Sequence, residues 1–422
     1  MVPPEQQAIG GMNMANATAG RFASFLKTAG LTLALVVSAQ IAPASADAQF
    51  QRWVSQFRST ATSSGISGAI FDRAFSGVTA PDPEVLQLAQ NQPEFNAPVW
   101  QYFDNQITDE SVGNGRRMAQ QHRRTLDAVE QRFGVDRNVV LAIWSIESRY
   151  GEALNNPRIV RNIVRSLSTL AYADQRRQKF ARSQLIAALK ILQNGDVDVS
   201  QMTGSWAGAM GHTQFIPTSY QTWAVDMDGN GKRDIWNSIP DALGSAANLL
   251  RQNGWRPGHA WGYEVTLPAG RKFPGGRQTL AQWQAMGVVR ANGQAYPRMN
   301  DQAELKVLEG RDGPAFLVLH NFNMLKRYNN SDRYALAVGL LSDQIAGHGQ
   351  LSRDWNRPFT RLSFVETQEL QKRLSAHGYY DGEIDGRIGP ASREAIKALQ
   401  GRIGMSADGH PSKELLTRLR GQ

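Results

Sequence analysis

From Phe50 to about Gly195 the apolar positions recur at three- and four-residue spacings, as on helices that bury one face. Pro81, Pro83, Pro93, Pro98 and Pro157 interrupt the pattern and divide it into separate helices. The stretches Val160–Leu170 and Phe180–Leu192 both keep the spacing. It is clearest over 136–151, where Val139, Val140, Ile143 and Ile146 share a face. Asp136 is placed to cap that helix and Gly151 to stop it. Helix is predicted again over Asp241–Asn253 and Tyr334–Ala346. Between Trp255 and Val318 the character changes. Tyr263–Leu267 and Ala315–Leu319 read as short strands separated by Gly, Pro and Asn. The expected fold class is therefore mainly α (α+β), with a small β-containing insertion.

The two ends read differently from the body. Arg21 and Lys27 precede the apolar run Leu31–Ala39, and Ala44-Ser-Ala46 offers small residues for cleavage, so residues 1–46 are expected to be a secretory signal. A retained membrane anchor is the competing reading, but the run is shorter than the roughly 20 residues a span needs. The polar lead before Arg21 leaves Met12 or Met14 as alternative starts. The main body is then 47–351. Residues 352–362, with Pro358 and several Arg, read as a linker. Beyond them, 363–421 nearly repeats itself. Leu370-Gln leads to Asp385-Gly-Arg-Ile-Gly-Pro390, and Leu399-Gln leads to Asp408-Gly-His-Pro-Ser412. Each half reads as a helix, an Asp-Gly turn and a Pro- or Ser-capped second helix. A binding accessory is the expected role, a stabilising appendage the alternative.

Composition narrows the setting. The 422-residue chain has no cysteine, hence no disulfide and no site for lipid attachment after the signal. A soluble, exported, periplasmic protein is expected, with no integral membrane segment once the signal is removed. The formal net charge is +9, with the basic residues scattered rather than banded. No nucleic-acid recognition motif accompanies that charge, which suits an anionic envelope polymer better.

The candidate chemistry begins with Glu147, four residues after Ile143 and inside the apolar stripe. A carboxyl held among aliphatic and indole groups keeps its proton near neutral pH and can act as a general acid. A helix-edge Glu paired with Arg149 or a nearby arginine is the plainer reading. In Gly204-Ser-Trp-Ala-Gly-Ala-Met-Gly-His-Thr-Gln-Phe-Ile-Pro217, the glycines permit close backbone approach, while Ser205 and Gln214 can bond sugar hydroxyls or acetamido groups. A tight helix crossing would use the same small residues. In 327–334, Tyr328 and Tyr334 can stack on pyranose faces with Asn329 as a polar contact, unless the segment is merely a loop and helix cap. Asp226, Asp228, Asn230 and the Lys232 carbonyl fall at positions 1, 3, 5 and 7 of an EF-hand-like loop. Asn237 stands at position 12, where a bidentate Glu is usual, so a metal-free Asx-turn loop is the alternative.

Taken together these strings resemble one family. Glu-Ser-Arg-Tyr-Gly ending an apolar helix, Ala-Gly-Ala-Met-Gly-x-x-Gln-Phe-x-Pro-x-Ser-Tyr, Asp-x-Asp-Gly-x-Gly and Arg-Tyr-Asn occur in the order seen in the B-type soluble lytic murein transglycosylases. The similarity covers roughly residues 50–350, and the C-terminal module resembles three-helix peptidoglycan-binding domains. The resemblance implies a lysozyme-like helical catalytic domain and Glu147 as the acid/base. It further implies Ser205, Gln214, Tyr328, Asn329 and Tyr334 along a sugar cleft, and Asp241 as the distal carboxylate of a weak, structural calcium (or sodium) site. His212-Thr213 departs from the aromatic and glycine often found there. The expected partner is the peptidoglycan glycan strand, met by a monomer that needs no cofactor for its chemistry.

Glycosidases usually employ two carboxyl groups. Here Glu152 lies past the helix stop, while Asp174, Asp196 and Asp198 sit in polar surroundings. One acid suffices if the muramyl C6 hydroxyl replaces water, closing onto C1 to give a 1,6-anhydromuramyl end. A muramidase hydrolysing the same bond, a non-catalytic wall-binding protein and a calcium sensor are the competitors.

Overall fold

The computed structural model describes residues 43–90, 98–310 and 312–421. Residues 1–42 and Pro93 lie outside it, as does most of the expected signal. Seven helices open the described residues: α1 (Pro43–Ser63), α2 (Gly68–Ala74), α3 (Pro83–Gln90), α4 (Val99–Gln106), α5 (Asp109–Gln121), α6 (Arg123–Phe133) and α7 (Arg137–Ser148). Their limits follow the punctuation of the chain. Pro83 starts α3 and Pro98 precedes α4, positions where a missing N–H costs nothing. Thr108 and Ser111 form a reciprocal capping box on α5, and Gly134 ends α6 in the left-handed region at φ 67°.

Helix α7 is the centre of the molecule. The Asp136 side chain accepts from the Asn138 amide, as expected of a cap. The helix stops at Ser148, three residues before the expected glycine, because Arg149 and Tyr150 also adopt left-handed φ values of 52° and 59°. Every side chain from Val139 to Ser148 is buried, on all faces rather than along one stripe. Helices α5, α6, α11 (Ile239–Gln252) and α14 (Asp332–Ile345) surround it. Full burial of each large apolar side chain stabilises the fold by about 1.5–3 kcal/mol.

The strand β1 (Arg161–Asn162) replaces the start expected for the helix at Val160. Asn162 caps α8 (Ile163–Ala173) through the Arg165 amide, so it cannot lie inside that helix. Next come α9 (Gln178–Asn194), β2 (Thr203–Gly204) and α10 (Pro217–Trp223), with β2 antiparallel to β1. After α11 the insertion contains β3 (Gly262–Thr266), β4 (Arg277–Thr279), α12 (Leu280–Ala285), β5 (Val289–Arg290), β6 (Gln302–Val307) and β7 (Ala315–Val318). These strands form one antiparallel sheet in the order β4-β6-β7-β3-β5. Its own small core is built around Trp283, Leu280 and Leu317. Helix α13 (His320–Tyr328) returns the chain to the helical body, and α14 follows.

The connecting segment 352–362 is packed rather than loose. Trp355 stacks on Phe103 with ring centroids 4.0 Å apart, and Arg357 pairs with Asp104. The module beyond has three helices: α15 (Phe364–Ala376), α16 (Pro390–Arg402) and α17 (Lys413–Arg420). The two sequence halves share α16, which is why two helix pairs need only three helices. The repeat reappears in its hydrogen bonds. Buried Gln371 donates to Asp385 and accepts from the Gly386 amide, and buried Gln400 does the same with Asp408 and Gly409. Among the described residues no helix is long and apolar enough to cross a membrane.

Candidate active site

Glu147 occupies the last turn of α7 and is 3% exposed. Burial pushes its pKa up to about 8, opposed only by the hydroxyl of Tyr334, which donates to Oε1 over 2.6 Å. The pairing with Arg149 is not what forms. That side chain sits instead in the field of Arg387, Glu152, Glu110 and Asp385. The left-handed turn after Ser148 carries it away from the carboxyl.

Tyr334 is itself buried, on the first turn of α14, where Ser331 caps the helix by accepting from the Tyr334 amide. Its ring lies nearly parallel to Tyr328, with centroids 6.2 Å apart. Tyr328 donates to the Thr213 carbonyl over 2.7 Å. Asn329, also buried, is the first of the three residues that join the two helices carrying these rings. The structure thus gathers Glu147, Tyr328, Asn329 and Tyr334 in one place. Ser145, Asn329 and Tyr334 face a cleft of about 2200 Å³ whose opposite side includes Tyr379, Arg387 and Arg393 of the C-terminal module. Arg387 joins the modules by pairing with Glu110 and Glu152.

The glycine-rich segment is a folded loop, not a helix crossing. Isolated bridges link Gly204 to Met210 and Met210 to Phe215. A Cβ at Gly204 would lie 2.0 Å from the Ala209 carbonyl, and one at Gly211 2.4 Å from the Ile235 carbonyl. Ser205 accepts the Ala209 amide through its hydroxyl, so this expected sugar contact first serves the turn. Gln214 has φ 50°, and its Nε2 donates to the Gly211 carbonyl over 2.8 Å. Its buried Oε1 receives no donor, at a cost of about 1–3 kcal/mol.

In the 226–237 loop, carboxylate oxygens of Asp226, Asp228 and Asp241 all lie within 4.8 Å of one another. Oxygens bound to one calcium at about 2.4 Å can be no farther apart than about 4.8 Å, so the set fits that ion. Asp241 is fully buried and accepts from the amides of Met227, Asp228 and Asp234, fastening both ends of the loop. Asn230 turns its Oδ1 to the Lys232 amide.

Residues 49–343 match the family model described as transglycosylase SLT domain. The chain belongs to the SLT transglycosylase family. Residues 365–419 match a peptidoglycan-binding domain. A curated relative, "Membrane-bound lytic murein transglycosylase B" of Escherichia coli (strain K12), is 32% identical over 278 residues, covering 62% of this chain and 74% of that one. The fold resembles the crystal structure of SltB3 from Pseudomonas aeruginosa in complex with NAG-NAM-pentapeptide. The TM-score is 0.70 at 48% identity, over 88% of this chain and 99% of that one. SltB3 has also been solved with NAG-anhNAM-pentapeptide. Slt35 of Escherichia coli in complex with calcium matches at TM-score 0.55 and 29% identity, over 64% of this chain and 84% of that one. This SLT transglycosylase therefore has the helical, lysozyme-like architecture expected, with a peptidoglycan-binding domain appended.

Sequence reasoning missed several residues around the transglycosylase site. Trp144, Ser148 and Tyr150 looked like ordinary helix and motif positions, and His212 like a departure from pattern. Ser148 and Trp144 both bond to His212, and Tyr150 donates to the Ser111 carbonyl. The available signal was the four-residue run Glu147-Ser-Arg-Tyr150 ahead of a glycine, too short to carry the helix further.

Proposed function

We propose that this enzyme cleaves the MurNAc–GlcNAc bond of peptidoglycan without water, leaving 1,6-anhydromuramyl ends, with Glu147 as general acid and then base. The reading is carried by one observation: a carboxyl kept protonated by burial lies one hydrogen bond behind the wall of a large cleft. With Tyr334 donating to Oε1, the acid's own proton resides on Oε2. Glu147 gives it to the glycosidic oxygen as the C1–O bond breaks. The carboxylate then takes the proton of the muramyl C6 hydroxyl as the C6 oxygen bonds to C1, restoring the acid. Stacked Tyr328 and Tyr334 supply aromatic surface, and the unfilled acceptor of Gln214 suits an acetamido N–H.

The intramolecular hydroxyl is favoured because three carboxylates weighed as a second acid are each held in an ion pair. Asp174 pairs with Arg177, Asp196 with Arg233 and Glu152 with Arg387. Those three are thus engaged by arginines, while a well-oriented internal hydroxyl reaches effective molarities of about 10⁵ M or more. The complexes of SltB3 with NAG-NAM-pentapeptide and NAG-anhNAM-pentapeptide support both the substrate and the product class. Mass spectrometry of fragments released from purified sacculi tests the reading. Muropeptides lighter by one water than hydrolysis products are expected, and full-mass reducing ends would identify a muramidase instead.

Two further results are expected. Tyr334→Phe removes a bond to the ionised form, so the alkaline limb of the pH–rate profile should move upward while turnover falls about 10-fold or more. In the metal loop, Asp226, Asp228, Asn230, the Lys232 carbonyl and Asp241 would hold a calcium whose contribution is to fasten 226–241, with no part in bond cleavage. At ten times a dissociation constant in the millimolar class, calcium should stabilise the protein by about 1.4 kcal/mol. Calorimetry with calcium and with chelator checks this, and Asp226→Asn should remove the difference. The setting consistent with these roles is an exported, periplasmic one.

A further inference from the structure

His212 is held from four sides. The Trp144 indole Nε1 donates to its Nδ1 over 3.0 Å, and Ser148 Oγ donates to its carbonyl over 2.7 Å. Its own amide donates to the Ile235 carbonyl over 2.9 Å. Its ring approaches Gly151 so closely that a Cβ there would lie 2.3 Å from the imidazole. The next residue in the chain, Thr213, presents its carbonyl to Tyr328, which stacks with Tyr334, which donates to Glu147. These contacts close a ring that leaves α7 at Trp144 and returns to it one turn later at Glu147.

We propose that His212 is a positioning residue for the reaction. By accepting from Trp144 it sets the 212–214 backbone, and through it the Tyr328–Tyr334 pair that orients the Glu147 carboxyl. The inference rests on the reading of Glu147 as the acid. An imidazole that accepts at Nδ1 is neutral and carries its proton on Nε2. Burial favours that form, pushing the His212 pKa down to about 4, so the acceptor and the protonated Glu147 coexist between about pH 4 and pH 8. His122 also faces the indole, with ring centroids 5.5 Å apart, and burial lowers its pKa as well. A phenyl ring at 212 would supply the same shape and no acceptor. The Trp144 N–H would then be buried without a partner, and the loop free to shift. Misplacement near 1 Å at a reacting centre costs about 10²-fold in rate.

The test uses the full chain, with isolated glycan strands as substrate. His212→Phe should lower kcat about 10- to 100-fold with KM within about twofold of the parent. His212→Asn, which returns an oxygen acceptor near the Nδ1 position, should recover most of that loss. Trp144→Phe should reproduce the His212→Phe defect, and the double variant should add little to either. Parental kcat in His212→Phe, a defect confined to KM, or an Asn variant as weak as the Phe variant would each overturn the proposal. Should His212→Phe not fold, parental kcat in Trp144→Phe overturns it alone. Glu147→Gln, run alongside, keeps the two readings apart. Activity surviving that change removes the acid itself, whereas an inactive Glu147→Gln beside a fully active His212→Phe removes only the positioning role.

Discussion

Glu147→Gln should abolish release of soluble fragments from sacculi, a loss of about 10²–10⁴-fold or more, while making the protein harder to unfold at pH 9. The second half of that expectation follows from the pKa near 8, raised from the ordinary 4.5 by burial. A carboxyl raised in the folded state contributes its full stability below pH 4.5, where both states are protonated. That contribution is lost as the pH climbs through 8, because the unfolded chain ionises first. The whole shift corresponds to roughly 5 kcal/mol. Glutamine cannot ionise, so the difference in stability between variant and parent should grow between pH 4.5 and 8 and then level off. Calorimetry of the pair across that range isolates position 147 from every other titrating group. A difference that stays flat with pH would mean an ordinary surface acid, and the proposed chemistry would go with it. The same ionisation predicts that turnover by the parent declines above pH 8, since the acid must hold its proton to begin the reaction.

The largest purely structural effect is expected at Gly211. Its φ of 64° costs an alanine about 1–2 kcal/mol, and the new Cβ would meet the Ile235 carbonyl at 2.4 Å. That carbonyl is backbone and already accepts the His212 amide, so it has little room to move. Overpacking adds about 1–3 kcal/mol, for a combined loss near 3 kcal/mol in Gly211→Ala, read by thermal or denaturant unfolding. Activity should fall further than stability explains, because the Gly211 carbonyl also holds the Gln214 side chain. Gly275→Ala is the control. That glycine has open space around its missing Cβ, and a change within about 0.5 kcal/mol is expected. Equal effects at the two positions would show that the loop is not sterically constrained at Gly211.

The elements that were legible in the chain share a property: their signal is local. Helix α7 was readable from the spacing of Val139, Val140, Ile143 and Ile146, and its cap from Asp136. The C-terminal repeat was readable because the same Leu-Gln and Asp-Gly pairs occur twice, although the sharing of α16 between the halves was not. Strand β7 announced itself as an apolar run, and β3 as Tyr263, Val265 and Leu267 alternating with Glu264 and Thr266. Strands β4, β5 and β6 did not, since Arg277–Thr279, Val289–Arg290 and Gln302–Val307 are short or largely polar and lie partly exposed. They are strands because neighbouring strands offer them hydrogen bonds.

The candidate site divides along the same line. The linear pattern alone determined that a carboxyl lies within an apolar helix face, that acidic side chains recur in a glycine-bearing loop, and that two tyrosines flank an asparagine. Only the tertiary structure decided what each of these meets. It set Tyr334 against Glu147 across 187 residues and turned Arg149 toward the C-terminal module. It also spent the Ser205 hydroxyl on its own turn and drew His212 into contact with Trp144. The reason is physical. Periodicity along a helix reports which side is buried, because burial acts on each residue through water. The partner that tunes a buried charge comes from another element, and its choice depends on how the elements pack.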